Sequence, residues 1–137
     1  MAAMFAAAGE PVTGGDSFGS GTMNAAAFCS YEFVDAGGST VGVQLNVNPF
    51  PLDNLFTACS LQTGPEEGII VLPGLADNAC MHVAGSFGVS VYFRMGAQAG
   101  AVNIIWNSRD RVPAPAARGE IAKAIAREWL RLVKTQT

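Results

Sequence analysis

Short segments in which apolar and polar residues alternate, joined by connections of hairpin length, most constrain what this chain can fold into. The clearest pair spans residues 27–33 and 41–47, and residues 35–39 between them have the Asp, Gly and Ser composition of a tight turn. Two strands joined by so short a turn lie antiparallel to each other. This part of the sequence therefore predicts a β-hairpin.

Four further segments have strand-like composition and lie at 69–72, 79–83, 89–95 and 101–107. Only a few residues separate the last three, which predicts an antiparallel meander. Residues 12–24, in contrast, are mostly Gly, Ser and Thr with little to bury, and are predicted to form a loop.

Residues 114–134 have the strongest helical periodicity in the chain. Seven apolar residues fall within one arc of the helix, namely Ile121, Ala122, Ile125, Ala126, Trp129, Leu132 and Val133. Two short helices are also expected, one over the Ala-rich residues 1–9 and one from Asp53, a suitable N-cap, to about Leu61.

Together these segments predict one α+β domain over residues 1–137. Its twisted antiparallel β-sheet should contain about five or six strands, arranged as the hairpin plus the meander. The amphipathic C-terminal helix and one or two short helices should pack on one face of that sheet.

Charge is distributed unevenly along the chain. Residues 1–108 carry one basic residue, Arg94, against eight acids, a net charge of −7, whereas residues 109–137 carry seven basic residues against three acids, a net charge of +4. The acidic balance of the whole chain argues against nucleic acid as a partner. Four cations form one stripe along the C-terminal helix: Lys123, Arg127, Arg131 and Lys134.

Two interpretations of this stripe stay open. It can be a solvated face of a terminal helix, with Trp129 beneath it, or a contact site for a partner protein, an acidic ligand or anionic lipid. No apolar run is long enough for a transmembrane span, so any membrane contact is expected to be peripheral, through this helix.

The three cysteines, Cys29, Cys59 and Cys80, have no C-x-x-C spacing, and His82 is the only histidine. They can form one disulfide and one free thiol in an oxidising compartment, or stay as three thiols in a reducing one. If a disulfide forms, we expect Cys59–Cys80, because the short helix and the meander can pack at the required separation.

Two patterns suggest chemistry without establishing it. Cys80 and His82 lie two residues apart on one strand face, where with Met95 they could bind copper or act as a nucleophilic pair, although an ordinary core Cys and an edge His are favoured. Ser17 stands in a G-x-S-x-G pattern, with Asp53 or Asp77 and then His82 further along the chain, but without the flanking strand and helix of a nucleophile elbow. We predict no catalytic residue, no metal site and no cofactor.

Three segments carry a resemblance to a known family. They are Phe28-Cys29-Ser30-Tyr31, the loop sequence from Leu72 to Ala79, and the helix from Ala116 to Leu132. With them the chain resembles a family of small bacterial secreted lipoproteins of unknown function, related to the extracellular sensor domain of a bacterial transmembrane serine/threonine kinase. Ala76 stands where that family commonly has a second glycine in the loop, and Cys29 has no evident mate.

The resemblance implies an antiparallel sheet with helices on one face, an extracytoplasmic (periplasmic or cell-surface) location, and binding or sensing. The expected function is therefore a non-enzymatic ligand- or partner-binding module, with the ligand or partner between the sheet and the terminal helix. The alternatives are an accessory or structural subunit of a larger assembly, and a small enzyme using His82 with Cys80.

Overall fold

Antiparallel strands form one open sheet in the computed structural model, which describes residues 1–23, 26–47, 69–83, 88–96 and 98–135. Within these residues the strands are β1 (Val12–Met23), β2 (Ala26–Asp35), β3 (Thr40–Val47), β4 (Ile69–Val71), β5 (Asn78–His82), β6 (Gly88–Met95) and β7 (Gln98–Trp106). The helices are α1 (Ala2–Ala7) and α2 (Pro115–Thr135), and a short 3₁₀ turn spans Arg109–Arg111.

The strand order across the sheet is β1-β2-β3-β7-β6-β5-β4. This order contains the predicted hairpin, β2–β3, and the predicted meander, β5–β6–β7, and every neighbouring pair is antiparallel. Asp35 closes the hairpin turn, because its Oδ1 accepts hydrogen bonds from the N–H groups of Gly37 and Ser39, each at 2.9 Å. The predicted α+β class is confirmed.

The prediction of a loop at residues 12–24 is wrong, because β1 occupies residues 12–23 and pairs with β2 along its whole length. An edge strand is held by backbone hydrogen bonds to one neighbour, which need no apolar side chains. The glycines mark the departures from regular pairing: the register shifts after Gly14, and Gly14 and Gly15 have φ angles of +86° and +98°. The sheet therefore has seven strands within the described residues.

Both helices pack on the same face of the sheet, as predicted. Phe5 of α1 is fully buried, with its ring centroid 5.4 Å from that of Phe33 on β2 and 6.3 Å from that of Trp106 on β7. The helix α2 packs against β6 and β7. It buries Ile121, Ala122, Ile125 and Ala126 against the sheet, each at most 1% exposed. The short helix predicted from Asp53 to Leu61 lies outside the described residues.

The opposite face of the sheet combines a polar row with exposed apolar side chains. Strand register places five polar residues side by side across β2, β3, β7, β6 and β5: Ser30, Gln44, Asn103, Ser90 and His82. On the same face, Ile105 is 55% exposed, Val71 49% and Phe28 40%. This face is thus chemically distinct from the helix-covered one.

Candidate functional site

The basic stripe of α2 points away from the sheet, as the helical periodicity predicts. Arg127 and Arg131 are exposed, and the side chain of Lys123 is 25% exposed. Trp129 is partly buried, and its indole N–H donates to the backbone carbonyl of Asn46 at 3.2 Å. This hydrogen bond attaches the C-terminal half of α2 to β3. The side chain of Lys134 is outside the described part of the structure.

Two of these cations have acidic partners one turn earlier on the helix. Lys123 donates to Glu120 with its Nζ 2.6 Å from Oε1, and Arg131 donates to Glu128 through both Nε and Nη2. The hydrogen bond from Lys123 lowers the pKa of Glu120, and the one from Arg131 lowers the pKa of Glu128. The uncompensated positive charge of the stripe is therefore smaller than the count of cations suggests.

Arg127 lies between these two pairs and differs from them. Within the described residues it forms no hydrogen bond or ion pair, and together with Lys123 it lines a recess of about 260 Å³. The other side of this recess is the loop that joins β4 to β5, contributed by Leu72, Pro73, Gly74 and Leu75. We call it the basic recess.

The β4–β5 loop is held in place from both ends. Leu75 is 8% exposed and belongs to the core, and the carboxylate of Asp77 accepts a hydrogen bond from the N–H of Gly96 at 2.7 Å. Between them, Ala76 has a φ of +63°, the one positive φ of a non-glycine residue in the described ranges. Left-handed backbone favours glycine, so the alanine at this position adopts a backbone conformation that is unfavourable for its side chain. The loop thus presents a defined backbone to the basic recess.

The expected ligand position between the sheet and α2 is occupied by the core itself. Ile121 and Ile125 on the helix and Val91 and Ile104 on the sheet are each at most 1% exposed. The basic recess lies at the margin of this interface, where the β4–β5 loop meets the helix. Sequence periodicity placed the cations correctly but contained no signal for the loop beside them, since that contact is made by tertiary packing.

Cys80 is disulfide-bonded and buried, whereas Cys29 is a free, partly exposed thiol. Cys59 lies outside the described residues, so the Cys59–Cys80 pairing stays a prediction. A sulfur in a disulfide is not the thiolate that either copper ligation or nucleophilic attack requires. His82 is partly exposed on the same strand face, and its neighbour across the β5–β6 ladder is Ser90.

The structure does not bring the G-x-S-x-G segment to the other candidate triad residues. Ser17 lies within β1, and four strands separate β1 from the strand that carries His82. At about 4.8 Å between neighbouring strands, this corresponds to roughly 24 Å. Asp77 precedes β5 and His82 ends it, so these two residues lie at opposite ends of one strand. Asp53 is outside the described residues.

Cys29 lies next to Tyr31 on the helix-facing side of β2. Burial is the main cause that raises the pKa of Tyr31, and the interaction with Cys29, which includes a side-chain hydrogen bond, raises it further. Neither residue contacts the basic recess. This pair therefore adds no group to the candidate site.

The described part of the chain contains no group of three or more His, Cys, Asp or Glu side chains that could hold a metal ion. None of its helices is long and apolar enough to cross a membrane. Comparisons with protein-family models, with curated proteins and with solved structures found no match to this chain. The site must therefore be interpreted from its own geometry.

Proposed function

We propose that this protein is a non-enzymatic, extracytoplasmic binding module that recognises an acidic segment of a partner protein. The contact surface is the basic recess, whose cations are Arg127 and Lys123. Arg131, one turn further along the helix and already paired with Glu128, lies outside the recess. The observation that carries the proposal is that Arg127 is exposed and unpaired within the described residues, beside a loop whose backbone is fixed.

The availability of Arg127 matters more than the number of cations. Arg131 already donates two hydrogen bonds to Glu128, and an acidic ligand would have to compete with that pair. Arg127 can donate several hydrogen bonds to an incoming carboxylate without breaking one first. Since exposed ion pairs contribute only about 0.2–1 kcal/mol each, we expect the partner to contact the loop as well as the guanidinium.

Two features support the extracytoplasmic part of the proposal. Disulfides persist in oxidising compartments, and Cys80 is disulfide-bonded. The resemblance to secreted lipoproteins and to an extracellular sensor domain points to the same location, and with it to binding rather than turnover.

The rival functions differ in what they need from the residues. A small enzyme using His82 with Cys80 needs a free thiol at Cys80, which is bonded in this structure. An accessory subunit of a larger assembly would use a broad surface, so that loss of one cation would have little effect. A single-residue dependence on Arg127 therefore distinguishes the binding module from the assembly subunit.

A synthetic glutamate-rich peptide tests the proposal on the whole chain. We expect saturable changes in the backbone amide NMR signals of Leu72, Gly74, Leu75 and residues 123–127, weakened by added salt because the contact is electrostatic. The R127Q variant should lose most of this response. The R131Q variant is the control: it removes the same charge one turn further along the helix, from an arginine that is already paired with Glu128. Its amide signals should respond to the peptide nearly as those of the parent do.

Equal losses in R127Q and R131Q would show general attraction to a basic helix and would overturn the assignment to the basic recess. Vesicles that contain anionic phosphatidylserine provide the second comparison. Binding to these vesicles without a response to the peptide would replace the protein partner with a membrane surface.

A further inference from the structure

The sheet face opposite the helices contains a groove whose shape follows from strand register. Glu32, Gly42, Ile105 and Gly88 form one row across β2, β3, β7 and β6. Ile105 therefore stands between two glycines, which provide no side chain beside it. An apolar side chain that is 55% exposed on an interior strand is thus left accessible along its flanks.

Polar side chains border this depression. In the adjacent row, Ser90 donates a 2.7 Å hydrogen bond to Oδ1 of Asn103, and Gln44 is exposed beside Asn103 on β3. Beyond the end of β7, Asn107 donates to the hydroxyl of Thr40 at 2.6 Å. The resulting groove has a volume of about 660 Å³, within the usual range of roughly 300–1,000 Å³ for small-molecule sites.

Within the described part of the chain, the groove is lined by apolar residues and by uncharged polar ones. These lining residues are Gln44, Gly88, Val89, Ser90, Asn103, Ile104, Ile105, Trp106 and Asn107, none of which is ionisable near neutral pH. In the row that contains Ile105, the acid Glu32 is separated from Ile105 by Gly42. The amide and hydroxyl side chains each offer both a donor and an acceptor.

We propose that this groove binds a neutral carbohydrate chain. Each sugar hydroxyl is also both a donor and an acceptor, so it matches Gln44, Ser90, Asn103 and Asn107, while the C–H face of a sugar ring can pack on Ile105. This binding is separate from the recognition of an acidic segment by the basic recess.

Other ligand classes fit the groove less well. A charged ligand would lose hydration without gaining an opposite charge from the described lining, and a wholly apolar one would cover those amide donors and acceptors that the bonds to Ser90 and Thr40 leave unused. An extended peptide adds to the edge of a sheet, where backbone groups are free, whereas this groove is bordered by β3, β7 and β6, each paired on both sides.

Neutral oligosaccharides provide the test, with maltohexaose, cellohexaose and chitohexaose as probes and an oligogalacturonate as the charged comparison. We expect at least one neutral probe to give saturable shifts in the amide signals of Ser90, Asn103 and Ile105. The N103V variant removes the central amide from an exposed β-sheet face, and should raise the dissociation constant about tenfold or more.

Asn46 permits a matched control, because it lies on the same sheet face, on β3, outside the groove lining. N46V makes the same chemical change and should bind the neutral probe as the parent does, and R127Q should also bind it normally. Thermal unfolding by circular dichroism confirms that each variant is folded. The proposal is overturned if no neutral probe binds at millimolar concentration, if oligogalacturonate binds better, or if N103V and N46V bind equally.

Discussion

The packing of Phe93 on Gly100 allows a quantitative test of the sheet at the centre of this fold. The two residues are paired across β6 and β7, and Phe93 is 1% exposed. Its ring covers Gly100 so closely that a Cβ at position 100 would clash with Cζ of Phe93 and lie 2.6 Å from its Cε2. The glycine is therefore required by the ring rather than by its own backbone conformation.

Substitution of Gly100 by Ala should lower the free energy of unfolding by about 1–3 kcal/mol, the usual effect of overpacking a core. Phe93→Leu removes Cε2 and Cζ, the two atoms closest to the new methyl group, and should lower it by roughly 1–2 kcal/mol, less than the full truncation to Ala. The double variant should lose less than the two single losses together, because the alanine methyl group enters space that the ring has vacated. We expect a coupling of about 1 kcal/mol or more.

Together with the parent, the two single variants and the double variant form a double-mutant cycle. Urea unfolding of the non-reduced proteins, followed by circular dichroism, measures the free energy of unfolding of all four. Gly42→Ala provides the control, because a Cβ at position 42 meets no atom within 4 Å. Its effect should be within about 1 kcal/mol of zero and additive with that of Phe93→Leu. Strict additivity of the Gly100 and Phe93 substitutions would refute the steric explanation.

The left-handed Ala76, the two ion pairs of α2 and the disulfide at Cys80 can each be tested separately. Ala76→Gly should raise the free energy of unfolding by about 0.5–1 kcal/mol, because glycine adopts a φ of +63° without strain. If the free energy of unfolding measured in urea decreases instead, the packing of the Ala76 methyl group against the core contributes more than the strain costs. Lys123 and Arg131 lower the folded-state pKa values of Glu120 and Glu128, so the stabilisation by these pairs is present above the unfolded-state value of about 4.3 and is lost as pH falls through the folded-state values. The thermal midpoint of the E120Q/E128Q variant should therefore fall less between neutral pH and the acid range than that of the parent, and equal falls would contradict this assignment. Mass spectrometry without reduction should find a Cys59–Cys80 linked peptide and one alkylatable thiol, at Cys29; alkylation of all three cysteines would contradict the pairing and the extracytoplasmic proposal with it.

Strands with one buried face could be predicted from the sequence, because their alternation records which side chains are inside. Val41, Val43 and Leu45 are at most 5% exposed, and the polar or small residues between them face the other side. The sequence of strand β1 has no such alternation of apolar and polar residues. Its partner is the backbone of β2, so its Gly- and Ser-rich sequence satisfies the fold without apolar residues to reveal it.

The candidate site could be predicted only in part. Helical periodicity placed Lys123, Arg127 and Arg131 outside the core, and a glutamate three residues before Lys123 and before Arg131 is a readable sign of pairing. The recess beside Arg127 could not be foreseen, because the β4–β5 loop is about fifty residues away in sequence and reaches the helix only through the order of the strands.

The two proposed sites differ from the core in how they should respond to substitution. Ile125 is 1% exposed between helix and sheet. At such core positions any change in side-chain volume alters the free energy of unfolding. Arg127 and Gln44 are exposed, and neither belongs to the buried cluster that joins the helices to the sheet. Substitutions at these positions should therefore alter binding while leaving the unfolding free energy within about 0.5 kcal/mol of the parent. One face of the sheet thus contributes to the core, while the exposed part of the other face, around Gln44 and Ile105, and the outer side of α2 are accessible for binding.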